Sequence, residues 1–179
     1  GWTIYLDADV NGVLDDGETS TETGADGSFA FADLPVGDYL VTELPQAGWV
    51  VTTPATGSRS VFVAAGETAT ADFGNFALAQ IGGIKFNDLD SDGMQDEGED
   101  GLAGWTINLD RDSDGDIDAT ATTEADGSYR FTDLGPGNYN VTEVLQPGWL
   151  QTAPSGGSYT VVPTSRLDSG GNDFGNVQA

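Results

Sequence analysis

Oxygen-bearing side chains recur at alternate positions in three short stretches, each with a glycine at its sixth place. The clearest is DLDSDGMQDEGE, which sets Asp88, Asp90, Asp92, Asp96 and Glu99 around Gly93. A hard cation such as calcium takes roughly six to eight oxygens, from places 1, 3, 5, 7, 9 and 12 of such a loop. The spacing predicts calcium held by Asp88, Asp90, Asp92, the Met94 carbonyl, Asp96 and Glu99, with Gly93 at the sharp turn. DADVNGVLDDGE repeats the pattern with Asp7, Asp9, Asn11, the Val13 carbonyl, Asp15 and Glu18 around Gly12. DRDSDGDIDATA keeps Asp110, Asp112, Asp114, Asp116 and Asp118 around Gly115, but Ala121 stands where the closing glutamate belongs. Glu124 or Asp126 is expected to complete that third, weaker site from the next segment.

The charge balance points the same way. Thirty acids against five bases leave 179 residues with a net charge of −25 and no histidine. Such a chain has almost nothing to neutralise phosphates, which excludes nucleic acid and anionic membrane surfaces as partners. Self-repulsion on this scale either unfolds a chain or is offset by bound cations. Four Trp, eight Phe and five Tyr in regular patterns argue for a folded chain. Solvated acidic turns are the plain alternative for any one loop. Two full matches and a partial third favour ions. Without cysteine there is no disulfide, and metal becomes the expected staple. Without histidine, cysteine or a nucleophile motif, no enzyme is expected. The carboxylates sit at metal-ligand spacing instead.

A calcium sensor flanks such a loop with two helices, but the flanks here, IGGIKF and DGLAGWTINLD, show no helical stripe. The elements that must position the loops read as β. GWTIYLD at Gly1 recurs as GWTINLD at Gly104, the stretch from Gly24 recurs from Glu124, and DFGN closes each copy at Asp72 and Asp173. This tandem duplication predicts two domains, residues 1–79 and 80–179. Within each, Trp2, Ile4 and Leu6, or Phe29 and Phe31, alternate with small or polar residues between Gly-rich turns. The expectation is all-β: two tandem antiparallel β-sandwiches of the Ig-like or prealbumin-like kind, with about seven strands each. The first lacks the opening strand and loop that Ile81 to Ala103 give the second. That strand is missing because the sequence is an excerpt of a longer array, because a neighbouring copy or chain donates it, or because the domain manages without it. No apolar run reaches the roughly 18 residues of a membrane-spanning helix, and GWTIYLD is not a signal peptide, so any export signal lies elsewhere.

The run IGGIKFNDLDSDGMQDEGEDGLAGWTINLD, then ADGSYRFTDLGPGNYNVTEVLQPGW and DFGN, resembles the SdrD B-like repeats of bacterial surface adhesins, relatives of the collagen-adhesin (Cna) B-type modules. The resemblance implies a prealbumin-like sandwich, calcium-dependent rigidity, a stalk role at the cell surface, and calcium ligands from Asp88 to Glu99 and from Asp110 to Asp118. Cna B-type relatives use a Lys–Asn isopeptide bond promoted by a buried acid. Here that bond requires Lys85, the single lysine, with Glu43 or Glu143 as the matching acid. Lys85 alternates with Ile84 and Phe86 and is expected to point outward, which favours calcium over the covalent staple. The reading is an extracellular structural module, on a cell surface or in a secreted filament, that self-associates with neighbouring repeats or chains. The alternative is a ligand- or carbohydrate-binding adhesin with a host or matrix ligand, its Trp2, Trp49, Trp105 and Trp149 stacking on sugar. Their recurrence in both copies favours packing.

Overall fold

The computed structural model describes residues 1–179, and the chain divides into two compact units, Gly1–Ala77 and Leu78–Ala179. Every regular element is a strand. Unit 1 has β1 (Thr3–Leu6), β2 (Ser20–Glu22), β3 (Gly37–Glu43), β4 (Trp49–Thr53), β5 (Ser58–Val63) and β6 (Gly74–Ala77). They form a four-stranded sheet, β2-β1-β3-β5, and a separate pair, β4-β6. Unit 2 has β7 (Ala79–Asn87), β8 (Thr106–Asp110), β9 (Ala119–Thr122), β10 (Ser128–Leu134), β11 (Tyr139–Glu143), β12 (Trp149–Ala153), β13 (Ser158–Val161) and β14 (Phe174–Gln178). Its sheets run β10-β7-β14-β12 and β13-β11-β8-β9.

The units are all-β as expected, with two departures in detail. Strand counts are six and eight, not about seven each. One pair is parallel: β7 lies antiparallel to β10 but parallel to β14, matching Phe174 to Lys85 and Asn176 to Asn87. A parallel pair needs a long crossover, and here the whole of unit 2 separates the two strands.

The core of unit 2 draws on both of its sheets. Ile81, Phe131 and Phe174 come from one, and Ile107, Leu109, Val141 and Val161 from the other. Ile81, Ile107, Leu109, Val141 and Phe174 are fully buried. Each contributes about 1.5–3 kcal/mol by leaving water. The hydrophobic core cluster of unit 1 has three buried members, Ile4, Leu6 and Val41, while Phe29, Phe31, Leu34 and Phe73, packed against it, stay half-buried. The cause is topological. The counterpart of β7 is absent, so residues 28–34, which match β10, form no strand, and β6 pairs with β4 alone.

Candidate metal centres and a buried lysine

The three acidic loops share one backbone plan. The first joins β1 to β2, the second β7 to β8, and the third β8 to β9, so the first and third are equivalent in the two units. In each, the opening aspartate is the last residue of a strand or the first beyond it, and it is buried: Asp7, Asp88 and Asp110. Its two oxygens accept backbone N–H groups from within the loop. Asp88 Oδ1 takes Asp92 N at 3.2 Å and Oδ2 takes Gly93 N at 2.9 Å. Asp7 does the same with Asn11 and Gly12, and Asp110 with Ser113 and Gly115. The fourth residue lies in the left-handed region in every loop, at Val10, Ser91 and Ser113, as does the sixth-place glycine. That curl turns the alternate carboxylates inward.

A second carboxylate closes each loop onto its start. Glu18 Oε1 accepts Ala8 N at 2.7 Å, and Glu99 Oε1 accepts Leu89 N at 2.6 Å. In the third loop Asp118 takes that station, accepting Arg111 N at 2.6 Å. The expected replacements, Glu124 and Asp126, do not join it. Asp126 caps its own turn through Ser128 N at 3.0 Å, and Glu124 lies in the same turn. The physical reason is length: β9 begins at Ala119, so the loop ends three places early and a shorter acid serves.

Carboxylate oxygens come within 4.8 Å of one another in four groups: Asp7–Asp9–Glu18, Asp88–Asp90–Glu99, Asp90–Asp92–Asp96 and Asp110–Asp112–Asp118. The second loop thus holds two groups that share Asp90. Asn11 lies between Asp9 and Asp15, donating to both. Asp114 and Asp116 are exposed, outside the close group of their loop. Val13 and Met94, at place seven, hold exposed side chains.

Electrostatics separates the roles. Burial acts to raise the Asp88 carboxyl, but hydrogen bonds, including those from the backbone of Gly93, Ser91 and Asp92, outweigh it and leave its pKa below the ordinary value. A hydrogen bond from Asp92 N acts to lower Asp90, yet desolvation and repulsion from Asp92, Glu99 and Asp96 prevail and push its pKa up. Asp88 is a fixed, ionised anchor, while Asp90 carries the mutual repulsion of the loop's carboxylates.

Beneath the second loop lies a cluster that sequence alternation assigned to the wrong face. Lys85 is fully buried, not outward. It shares parity with Ile81, the core residue of β7, whereas Phe86 is buried on the opposite side. Lys85 Nζ donates to the Phe174 carbonyl at 3.1 Å and to Asn176 Oδ1, and pairs with Glu143 Oε2 at 3.1 Å. The Trp105 ring centroid lies 4.4 Å from Nζ. Desolvation pulls the Lys85 pKa down to about 8, against the raising effects of Glu143 and Asp88. A primary amine, a carboxamide and a carboxyl group are held together out of water.

The tryptophans form edge-to-face pairs, Trp2 with Trp49 at 5.3 Å and Trp105 with Trp149 at 5.6 Å. Trp105 is 3% exposed. Their repetition therefore reflects edge-to-face packing in each unit rather than a flat stacking platform, and Trp105 alone lies over the lysine amine.

Residues 79–175 match the SdrD B-like domain. The chain belongs to that family. Among SdrD B-like relatives, serine-aspartate repeat-containing protein D of Staphylococcus aureus (strain Newman) is 35% identical over 87% of this chain. Serine-aspartate repeat-containing protein F of Staphylococcus epidermidis (strain ATCC 12228 / FDA PCI 1200) is 25% identical over 94%. The chain spans 14% and 12% of their respective lengths. Solved structures similar to it include the Bacillus anthracis TIE protein, with a TM-score of 0.47 and 17% identity over 100% of this chain and 31% of that one. GBS52, the minor pilin of Streptococcus agalactiae, has a TM-score of 0.42 and 15% identity over 99% of this chain and 82% of that one.

Proposed function

We propose that this pair of SdrD B-like units is a calcium-stabilised segment of a surface stalk or fibre. The observation that carries the reading is the shared loop plan: a buried anchoring aspartate, a closing acid and converging carboxylates, built three times on strand ends. Without a cation, those carboxylates repel one another. With one, the repulsion becomes attraction, and ion binding becomes folding free energy. A sensor would need a mobile helix pair, and strands flank these loops instead. Calcium is then a structural ion. Association with neighbouring repeats, by strand addition at unit 1, makes such a segment part of a longer fibre.

Melting and limited proteolysis of the full chain, with calcium and then with chelator, test this directly. Calcium is expected to raise the melting temperature and to protect the loops from cleavage. Identical behaviour in both conditions would remove calcium from the account. Electron microscopy of the same samples reads assembly: isolated short rods at every calcium level would remove the fibre.

A second staple follows from the burial of Lys85. We infer that Lys85 and Asn176 can join covalently, as Cna B-type modules do. The Lys85 nitrogen attacks Cγ of Asn176, Glu143 carries the proton from the amine to the departing nitrogen, and ammonia leaves. The lowered lysine pKa supplies neutral amine near physiological pH. Intact-mass measurement is expected to show the chain lighter by one ammonia, with a cross-linked peptide joining β7 to β14. The Glu143→Gln variant should show the unaltered mass. An unaltered mass in the parent chain would exclude the bond.

A further inference from the structure

The first acidic loop departs from the other two at its fifth place. Asn11 stands there, where the second and third loops carry Asp92 and Asp114, and Asn11-Gly12 is the single Asn-Gly step of the chain. The groups around that step converge on it. Gly12 N donates to Asp7 Oδ2 at 2.9 Å. Val13 N donates to Asn11 Oδ1 at 2.7 Å, a turn that folds the carboxamide back over its own following peptide. Asn11 Nδ2 donates to Asp15 Oδ2 at 2.6 Å and to Asp9 Oδ2 at 2.9 Å. Asn11 is exposed, and Gly12, with φ at 77°, has nothing within 4 Å of where a Cβ would stand.

Each contact matches one task in a single reaction, the attack of a peptide nitrogen on a side-chain amide. A carboxylate against the Gly12 N–H takes up its proton as the nitrogen becomes a nucleophile. An N–H donor on Asn11 Oδ1 stabilises the negative charge which that oxygen gains at the tetrahedral stage. The carboxylates on Nδ2 relay a proton to the nitrogen that departs. Nucleophile and electrophile are chain neighbours, so no entropy is lost in bringing them together. Gly12 has no side chain to crowd the ring as it closes.

We propose that Asn11 is a self-modification site, at which the loop converts the amide to a carboxylate with water as the only co-reactant. Gly12 N bonds to Asn11 Cγ as the Cγ–Nδ2 bond breaks, and the Gly12 proton leaves with Nδ2 as ammonia. Water then opens the five-membered imide. Opening at Cγ leaves aspartate at position 11, and opening at the backbone carbonyl leaves isoaspartate, whose main chain is one carbon longer. The aspartate product gives the first loop the same acid at place five that the other loops already hold. It also replaces the amide donor between Asp9 and Asp15 with a further negative charge. In the other loops Gly93 N and Gly115 N make the matching bonds to Asp88 and Asp110, but the adjacent side chain is a carboxylate, a weaker electrophile. Those loops are internal references. Asp7, Asp9, Asn11 and Asp15 are also expected calcium ligands, so calcium is expected to hold them off the reaction. That last clause alone rests on the calcium reading above.

Peptide mapping by mass spectrometry of the full chain, incubated in chelator at neutral pH, reads the conversion. The folded chain is expected to lose ammonia at Asn11 about tenfold or more faster than the same chain in denaturant, a modest share of what positioned acid–base groups give. Asp7→Asn should bring the rate down to that of the unfolded chain. Asp7 is buried, so Asp9→Asn and Asp15→Asn, at exposed positions, keep the test open if that variant fails to fold. Each should slow the reaction severalfold. Asn11→Asp supplies the product standard from which isoaspartate is separated. A folded chain that converts no faster than the unfolded one would overturn the proposal, because the same contacts would then shield the amide. Unchanged rates in the aspartate variants would also overturn it, by making the reaction a property of the Asn-Gly sequence alone. Saturating calcium should slow the conversion. Equal rates with calcium and with chelator would overturn calcium binding at this loop and leave the self-modification standing.

Discussion

Replacing Lys85 with leucine is expected to lower the stability of unit 2 by about 3–5 kcal/mol, the cost of leaving one member of a buried ion pair without its partner. Glu143 is the group stranded: its side chain is 1% exposed, and Lys85 Nζ is its counter-ion. Asn176 Oδ1 loses its donor in the same step. The double variant Lys85→Leu, Glu143→Leu should recover much of the loss, since an apolar pair can replace a buried ionic one at little cost. That recovery holds for a chain in which Lys85 stays a free amine. In a chain carrying the proposed Lys85–Asn176 bond the amine is spent as a neutral amide, and both variants lose the ammonia-loss product and the cross-link's stability together. Denaturant unfolding followed separately for each unit is the measurement, because two compact units need not unfold in one transition. A Lys85→Leu chain as stable as the parent would show that the cluster is not the staple of unit 2.

The second large effect changes sign with calcium. Asp90 belongs to both carboxylate groups of the second loop, and its pKa is raised by desolvation and by repulsion from Asp92, Glu99 and Asp96. Asp90→Asn removes that repulsion, so in chelator the variant should melt at or above the parent. In calcium it should melt below the parent, because the ion loses a ligand shared by two sites. For the parent chain, each occupied site is expected to add about 2.7 kcal/mol once free calcium is about 100 times its Kd. Asp88→Ala serves as a contrast. It removes the acceptor for two backbone N–H groups, so it should destabilise the chain in both conditions. If Asp90→Asn shifts melting equally with and without calcium, the loop is a solvated acidic turn.

The loops were readable in the sequence because their chemistry is local. Ligand spacing, the sixth-place glycine and the closing glutamate all lie within twelve consecutive positions of the pattern. The third loop was readable only in part. Its missing glutamate left several nearby acids equivalent on paper, and the start of β9 at Ala119 selected Asp118. The duplication and the strand pattern were likewise legible, since a period of two and a repeat offset survive without any long-range information. Pairing direction was not. That β7 runs parallel to β14 depends on residues separated by nearly the whole of unit 2.

Lys85 marks the boundary most clearly. In IGGIKF, apolar residues fall on both parities, Ile81 on one and Ile84 and Phe86 on the other, while Gly82 and Gly83 add no side chain to break the tie. Alternation therefore could not say which face is the core. Pairing to β10 on one edge and β14 on the other decides it, by burying Ile81 and Lys85 together and bringing Glu143 and Asn176 to the amine. The sequence by itself determined the two repeats, their β character and the calcium-type loops. The tertiary structure alone decided that the single lysine is buried in unit 2 beside Glu143 and Asn176. Local spacing fixes a ligand loop, but only packing fixes which charges share a core.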